Sequence, residues 1–164
     1  MPKISFEHRA VAFIDVLGFS ALVSKASTDQ QAFAELQNLV NVLESAIPIL
    51  DSGVAKTVPI ELFPKHIYIS DCIILSAPIS VALPKWGHYS GLEIVVMRAI
   101  QLTHLFLNAG YLIRGGVAIG DVWHGHANIV GPAYQEAYQL ETQGYTLCQC
   151  TRPAHIQAVG VAHR

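Results

Sequence analysis

Residues 13–20 read Phe13-Ile14-Asp15-Val16-Leu17-Gly18-Phe19-Ser20, and the fold turns on how an acidic residue comes to stand inside that apolar run. Residues 8–16 are apolar and β-favouring and run into Leu17-Gly18, the pattern of a buried strand entering a turn. A carboxylate at the end of such a strand is costly unless something pairs with it, and the N–H groups of the turn beyond it can face phosphate. Taken alone, Asp15 has an equal reading as the cap of a helix starting near Gly18.

Working outward, Ile67-Tyr68-Ile69-Ser70-Asp71-Cys72-Ile73-Ile74 sets a second acid in an apolar context. Residues 65–76 read as a hairpin with Ser70-Asp71 at the turn, a place where Asp also occurs for turn geometry alone. The two acids say more together. If the strands they end are neighbours, both carboxylates reach one site, and hard oxygen ligands beside phosphate are what Mg²⁺ or Mn²⁺ prefers.

The remaining elements follow from spacing and punctuation. Ser27-Thr28-Asp29 is an N-cap cluster, after which Phe33, Leu36, Val40 and Leu43 mark one core-facing helical stripe that stops at Pro48. Residues 53–64 read as a loop with a weak strand, and residues 78–91, rich in proline and glycine, as a loop. Residues 92–109 form a long helix stopped by Gly110. Residues 111–122 carry three glycines amid β-formers and read as a central strand whose backbone approaches another element closely. A short strand at 127–130 follows. Gly131-Pro132 then opens a helix running to about Thr142 and ending at Gly144. This order predicts a single α+β domain over residues 1–164, a mostly antiparallel sheet with helices packed on one face, of which a split βαβ is a common form.

Composition narrows the function classes. Hydrophobic residues make up 52% of 164 and charged residues 13%, against about 25% charged in an ordinary soluble domain. Part of the surface is therefore expected to pack on another subunit. The longest apolar stretch, residues 92–120, is broken by Glu93, Arg98, Gln101, His104, Asn108 and Arg114, so no membrane span is expected. Glu7, His8 and Arg9 interrupt any signal-peptide pattern, and a cytoplasmic location is expected. A net charge of −2 without a basic stripe argues against a nucleic acid polymer as partner. The three cysteines are read as reduced thiols, the spacing of Cys148 and Cys150 near His155 and His163 being weak as a metal signature.

A third stretch, Ile113-Arg114-Gly115-Gly116-Val117-Ala118-Ile119-Gly120-Asp121, leads on to Gly131-Pro132-Ala133-Tyr134-Gln135-Glu136-Ala137-Tyr138-Gln139-Leu140-Glu141. In order, the three stretches resemble class III nucleotide cyclases over residues 11–144. That family shows F-x-D-x-x-G-F, a G-D hairpin, R-x-G-x-x-x-G and a G-x-x-x-N-x-A-x-R-L-E-like helix. Arg114, Gly116 and Gly120 match the strand motif, and Gly131, Ala137, Leu140 and Glu141 the helix motif. The chain is most similar to the minimal pyrimidine cyclases of bacterial Pycsar anti-phage systems.

The resemblance implies a ferredoxin-like class III cyclase fold and a head-to-tail homodimer with shared active sites. It implies that Asp15 and Asp71, with the carbonyl of Val16, hold two Mn²⁺ or Mg²⁺ ions, and that amides of Leu17, Gly18 and Phe19 cradle a triphosphate. Gln135 and Arg114 would serve catalysis, and Ile67, Tyr68, Asn128 and Gln139 would contact the rest of the substrate. The implied reaction converts UTP to 3′,5′-cyclic UMP and pyrophosphate, the product acting on a separate effector protein. CTP is the next candidate, and a degenerate domain that binds without turnover is the alternative from another class. No GGDEF signature is present.

The departures from the pattern matter. Asn128 and Ile67 stand where adenine-reading residues occur, which points away from adenine. Gln135 replaces asparagine and Gln139 replaces arginine, leaving Arg114 or Arg152 to supply the missing charge, and the late triphosphate-binding lysine has no counterpart. Tyr68 reads either as a bulky residue narrowing the base pocket or as a core tyrosine with its hydroxyl satisfied. His124 and His126, flanking a glycine, read as exposed loop residues rather than ligands.

Overall fold

The structure, a computed structural model, describes residues 4–85, 87–143 and 149–150. Strand β1 (Glu7–Val16) lies at the centre of the sheet, antiparallel both to β3 (Cys72–Pro78) and to β6 (Ile113–His124). Strand β2 (Lys65–Ile69) completes the expected hairpin with β3, and β7 (Ile129–Val130) adds to β6, giving the order β2-β3-β1-β6-β7. The two-residue β8 (Gln149–Cys150) runs parallel to β6. Between β3 and the next helix, Ser80–Leu83 (β4) and Gly87–Ser90 (β5) form a separate small hairpin where a loop was expected. The alternating Val81 and Tyr89 side chains pack on the core and hold it there.

Helices cover both faces of the sheet, not one. Ala10, Ala12, Ile14 and Val16 of β1 face a core built with α2 (Gln30–Ser52) and α3 (Gly91–Asn108). Val11 and Phe13 face the opposite way, with Ile67, Ile74, Ala118 and Val122, under α4 (Pro132–Thr142). Side chains alternate along a strand, so one-residue steps on β1 feed two different cores. A short helix, α1 (Phe19–Ala26), joins β1 to α2. Among the described residues no helix is long and apolar enough to cross a membrane.

The Asp29 cap of α2 is as expected, its carboxylate accepting from the N–H of Gln31 at 2.8 Å and of Ala32 at 3.3 Å. Two features of α2 differ from the expectation. The buried residues are Ala32, Leu39, Leu43, Ala46 and Ile47, while Phe33 and Val40 are exposed and Leu36 is half-buried, so the inward stripe is rotated. The helix also continues past Pro48 to Ser52. Proline removes one donor to the carbonyl four residues back, here exposed Glu44, which water can satisfy. The extra turn delivers Asp51 to buried Arg98 of α3 at 2.6 Å, and Arg98 also lies over the Phe63 ring. At its start α3 carries a capping box, Ser90 accepting from Leu92 N–H while Glu93 reaches back to Ser90 N–H at 3.1 Å.

The glycine-rich strand has the close neighbour its sequence called for. A methyl at Gly116 would overlap the Ala137 carbonyl and the Leu140 Cβ of α4, and Gly120 faces the Ala133 Cβ. Gly116→Ala therefore lifts α4 from the sheet, with an expected loss of about 3 kcal/mol in urea unfolding, near the top of the overpacking range. An unchanged unfolding midpoint would contradict the close packing.

The sheet is curled enough that Ser76 of β3 and His124 of β6 touch across β1, Oγ to Nδ1 at 2.6 Å. His124 is thus buried, not in an exposed loop, whereas His126 is exposed. Burial, then the nearby charges of Arg9 and Lys65, pushes the His124 pKa down to about 4. Between that value and the ordinary 6.5 the unfolded chain binds a proton that the folded chain refuses, so stability falls as pH drops through this window and is level above it. The full effect is about 3 kcal/mol. Urea unfolding from pH 7.5 down to about 4 should show this decline, and His124→Phe should flatten it; an identical slope in the variant would refute the assignment.

Candidate metal centre

Asp15 is carried by the innermost strand, paired to Cys72 on one side and to Arg114 on the other. By alternation its side chain shares the α4 face with Val11 and Phe13. Asp71 sits in the two-residue turn between Ile69 and Cys72. Ser70 precedes it with a φ of 56°, a left-handed conformation that costs a side-chain-bearing residue about 1–2 kcal/mol. This serine stands at the glycine place of the G-D hairpin pattern, and the turn holds Asp71 against the end of β1. A carboxylate oxygen of each aspartate and the Cys72 sulfur all lie within 4.8 Å of one another. Asp15 does not cap α1, whose N-cap is Gly18 with a φ of 83° and no side-chain cap.

The electrostatics of this corner are unfavourable without a cation. Burial raises the Asp15 pKa, the charge of Asp71 raises it further, and the Cys72 thiol and Arg114 draw it back. Cys72 donates to Asp15 Oδ1 at 3.5 Å and to Asp71 Oδ1 at 3.9 Å, and burial followed by the two acids drives its own pKa far up. The sulfur is therefore a neutral thiol that solvates the acids. Two oxygen donors and a strained charge pair fit a hard divalent cation; the thiol does not need to take part.

A third carboxylate closes the site from α4. Glu141 is buried and its Oε1 lies 2.5 Å from Arg114 Nε, with the N–H turned off the oxygen, so the contact is an ion pair rather than an aligned hydrogen bond. Burial raises the Glu141 pKa and Arg114 opposes that. The same Arg114 Nε is 3.5 Å from Asp15 Oδ2, so one half-exposed guanidinium bridges Glu141 and Asp15. The sequence reading gave Glu141 only as a motif match. The signal for it was available: Ala133, Ala137 and Glu141 recur every four residues, putting a charge on the small-residue face that packs on the sheet.

The other proposed residues are distributed differently. Val16 ends β1 with its side chain in the opposite core, so only its carbonyl could join Asp15. Leu17 is exposed and its N–H already donates to Leu112 O at 2.9 Å, a correction to the expected amide cradle. Gly18 and Phe19 remain at the start of α1, where first-turn amides lack intrahelical acceptors. Gln135 and Gln139 lie on the exposed side of α4. Ile67 is buried under α4, whereas Tyr68 packs on the other core with its hydroxyl accepting from Ile47 N–H at 3.4 Å. Both line an open cleft with residues 124–127, and exposed Asn128 follows it, its side chain accepting from Ile129 N–H. Arg152, Gly144, Cys148, His155 and His163 lie outside the described residues, as does the Cys150 side chain.

No protein-family model matches this chain, and no curated protein matches it.

Repulsion between Asp15 and Asp71 gives a measurable consequence. In EDTA at neutral pH, Asp71→Asn should stabilise the protein by about 0.5–1 kcal/mol in urea unfolding, the scale of a partly exposed charge pair. The gain should vanish as pH falls through the carboxylate range, because protonation of Asp15, whose pKa is raised, ends the repulsion. A destabilised variant would contradict the pairing.

Proposed function

We propose that this chain is a pyrimidine nucleotide cyclase of the class III type, converting UTP to 3′,5′-cyclic UMP and pyrophosphate. The observation that carries the reading is the convergence of Asp15, near the end of β1, and Asp71, in the β2-β3 turn, on one sheet rim. The strand order β2-β3-β1-β6, wholly antiparallel and linked through α1, α2 and α3, supports the finer reading as a ferredoxin-like cyclase fold.

In this account the bond formed joins the ribose 3′-oxygen to the α-phosphorus, and the bond broken releases pyrophosphate. Mn²⁺ or Mg²⁺ held by Asp15 and Asp71 would neutralise phosphate charge and lower the pKa of the 3′-hydroxyl. The protein orients the substrate with the α1 N-terminal amides, and Glu141 fixes Arg114 beside Asp15. Gln135 and Gln139, exposed on α4, are free to reach a site on a second copy, as a head-to-tail homodimer requires. Exposed Leu17, Ile69 and Leu112 near the acids give that second copy an apolar rim. A cytoplasmic enzyme whose product acts on a separate effector is part of the same proposal, with CTP as the alternative substrate.

A second reading, nucleotide binding without turnover, is favoured by one feature: Arg114 is committed to Glu141 and Asp15, and Gln139 brings no charge to α4. Incubation with Mn²⁺ and each of the four nucleoside triphosphates separates the two. The cyclase account expects cyclic UMP, or cyclic CMP, and pyrophosphate, with loss of at least about a thousandfold in Asp15→Ala. Mixing Asp15→Ala with Gln135→Ala chains should restore one intact site per heterodimer. Product from ATP alone, or none from any triphosphate, would overturn the pyrimidine cyclase reading.

A further inference from the structure

Arg114 faces two carboxylates and is shared between them unequally. It pairs with Asp15 across β1 and β6, so both side chains stand on the same face of the sheet, where oppositely charged cross-strand partners attract each other. Unopposed, a guanidinium so placed closes on the carboxylate at about 2.7–2.9 Å. Its Nε instead stops 3.5 Å from Asp15 Oδ2 and lies 2.5 Å from Glu141 Oε1. The nearer partner is also the more deeply buried, the Glu141 side chain being 4% exposed against 16% for that of Asp15. Glu141 keeps the guanidinium beside Asp15 without letting it close.

The other oxygen of Asp15 is turned away from Arg114. Oδ1 accepts from the Cys72 thiol at 3.5 Å, and the same thiol reaches Asp71 Oδ1 at 3.9 Å, so this oxygen looks toward the second aspartate. The balance of charge points the same way. The charged groups acting on Glu141 are Arg114, Asp15 and Asp71, and those acting on Asp15 are Asp71 and Arg114. Three carboxylates against one guanidinium leave two negative charges in excess, which one divalent cation balances. Without the Glu141 charge only one remains in excess, and among the described residues Arg114 is left with Asp15 as its sole carboxylate partner.

We infer that Glu141 is a positioning residue that sets the cation affinity of Asp15 by holding Arg114 off it. The inference rests on the reading of Asp15 and Asp71 as cation ligands. With a cation bound, Arg114 remains on Glu141. With the Glu141 charge removed, Arg114 closes on Asp15 and competes with the cation for that carboxylate.

Mn²⁺ binding to the nucleotide-free protein tests this, followed by loss of the electron paramagnetic resonance signal of free Mn²⁺ and so independent of turnover. Asp71→Asn checks the ligand reading and should weaken binding. Glu141→Gln, nearly the same in shape, should weaken it by about tenfold, the scale of one unit charge released close to a partly exposed site. Adding Arg114→Gln to Glu141→Gln should bring the affinity back to within about threefold of wild type, because the competing charge leaves with the residue that restrained it. If Glu141 served only to seat α4, the second substitution would restore nothing. Unchanged binding in Glu141→Gln, or no recovery in the double variant, would overturn the inference and leave the aspartates as ligands. No Mn²⁺ binding by the wild type, or undiminished binding in Asp71→Asn, would remove both. Should Glu141→Gln fail to fold, the wild type itself carries the test. In ¹⁵N-arginine-labelled protein saturated with Mg²⁺, the Arg114 Nε–H should stay as ordered as in the cation-free protein, since Glu141 retains the guanidinium; loss of that order would overturn the inference.

Discussion

Two carboxylates cannot be brought together in a partly buried corner at no cost, and this protein gives Asp15 no room to withdraw. It lies on the central strand, hydrogen-bonded on both sides, with Cys72 and Arg114 as its lateral neighbours. The β2-β3 turn then sets Asp71 beside it, through a left-handed serine that would relax if the turn were free to open. Structural strain and electrostatic strain coincide at one point, which is how binding sites for cations are commonly built.

The opposite layer is organised around that point. Glycines on β6 let α4 sit close to the sheet, and the close seat is what carries Glu141 to Arg114 and Arg114 to Asp15. A looser α4 would leave Glu141 buried without its cation. Packing on the concave face and charge balance at the rim are thus one arrangement. The same curl, at the other end of β1, folds Arg9, Ser76 and His124 into a network where every buried side-chain polar atom but His124 Nε2 finds a partner among the described residues.

Much of this was readable from residue order, because β1, the β2-β3 hairpin, α3, β6 and α4 each combine a clear period with glycine or proline punctuation. The pairing of Asp15 with Asp71 needed only that two hairpin-compatible strands be neighbours. What escaped was the register between layers. On α2, Phe33 and Val40 look like the natural core stripe, yet the inward face is built partly from Ala32 and Ala46, which hydrophobicity alone does not single out. The unbroken apolar run from Ala10 to Ile14 was a usable sign that β1 is covered on both faces, as fully buried strands are. Asp51 with Arg98, and Ser76 with His124, are long-range pairings that local pattern cannot reveal. The assignments of Ile67, Tyr68, Asn128, Gln135 and Gln139 came from family resemblance rather than from any local pattern.

The account rests on Asp15 and Asp71 gripping a cation together. The most direct measurement is a crystal grown with Mn²⁺ and a non-hydrolysable UTP analogue, with data collected at the manganese absorption edge. An anomalous peak bonded to a carboxylate oxygen of each aspartate is the predicted result. A structure with the analogue bound and no manganese between those two side chains, or manganese held elsewhere, would contradict the account.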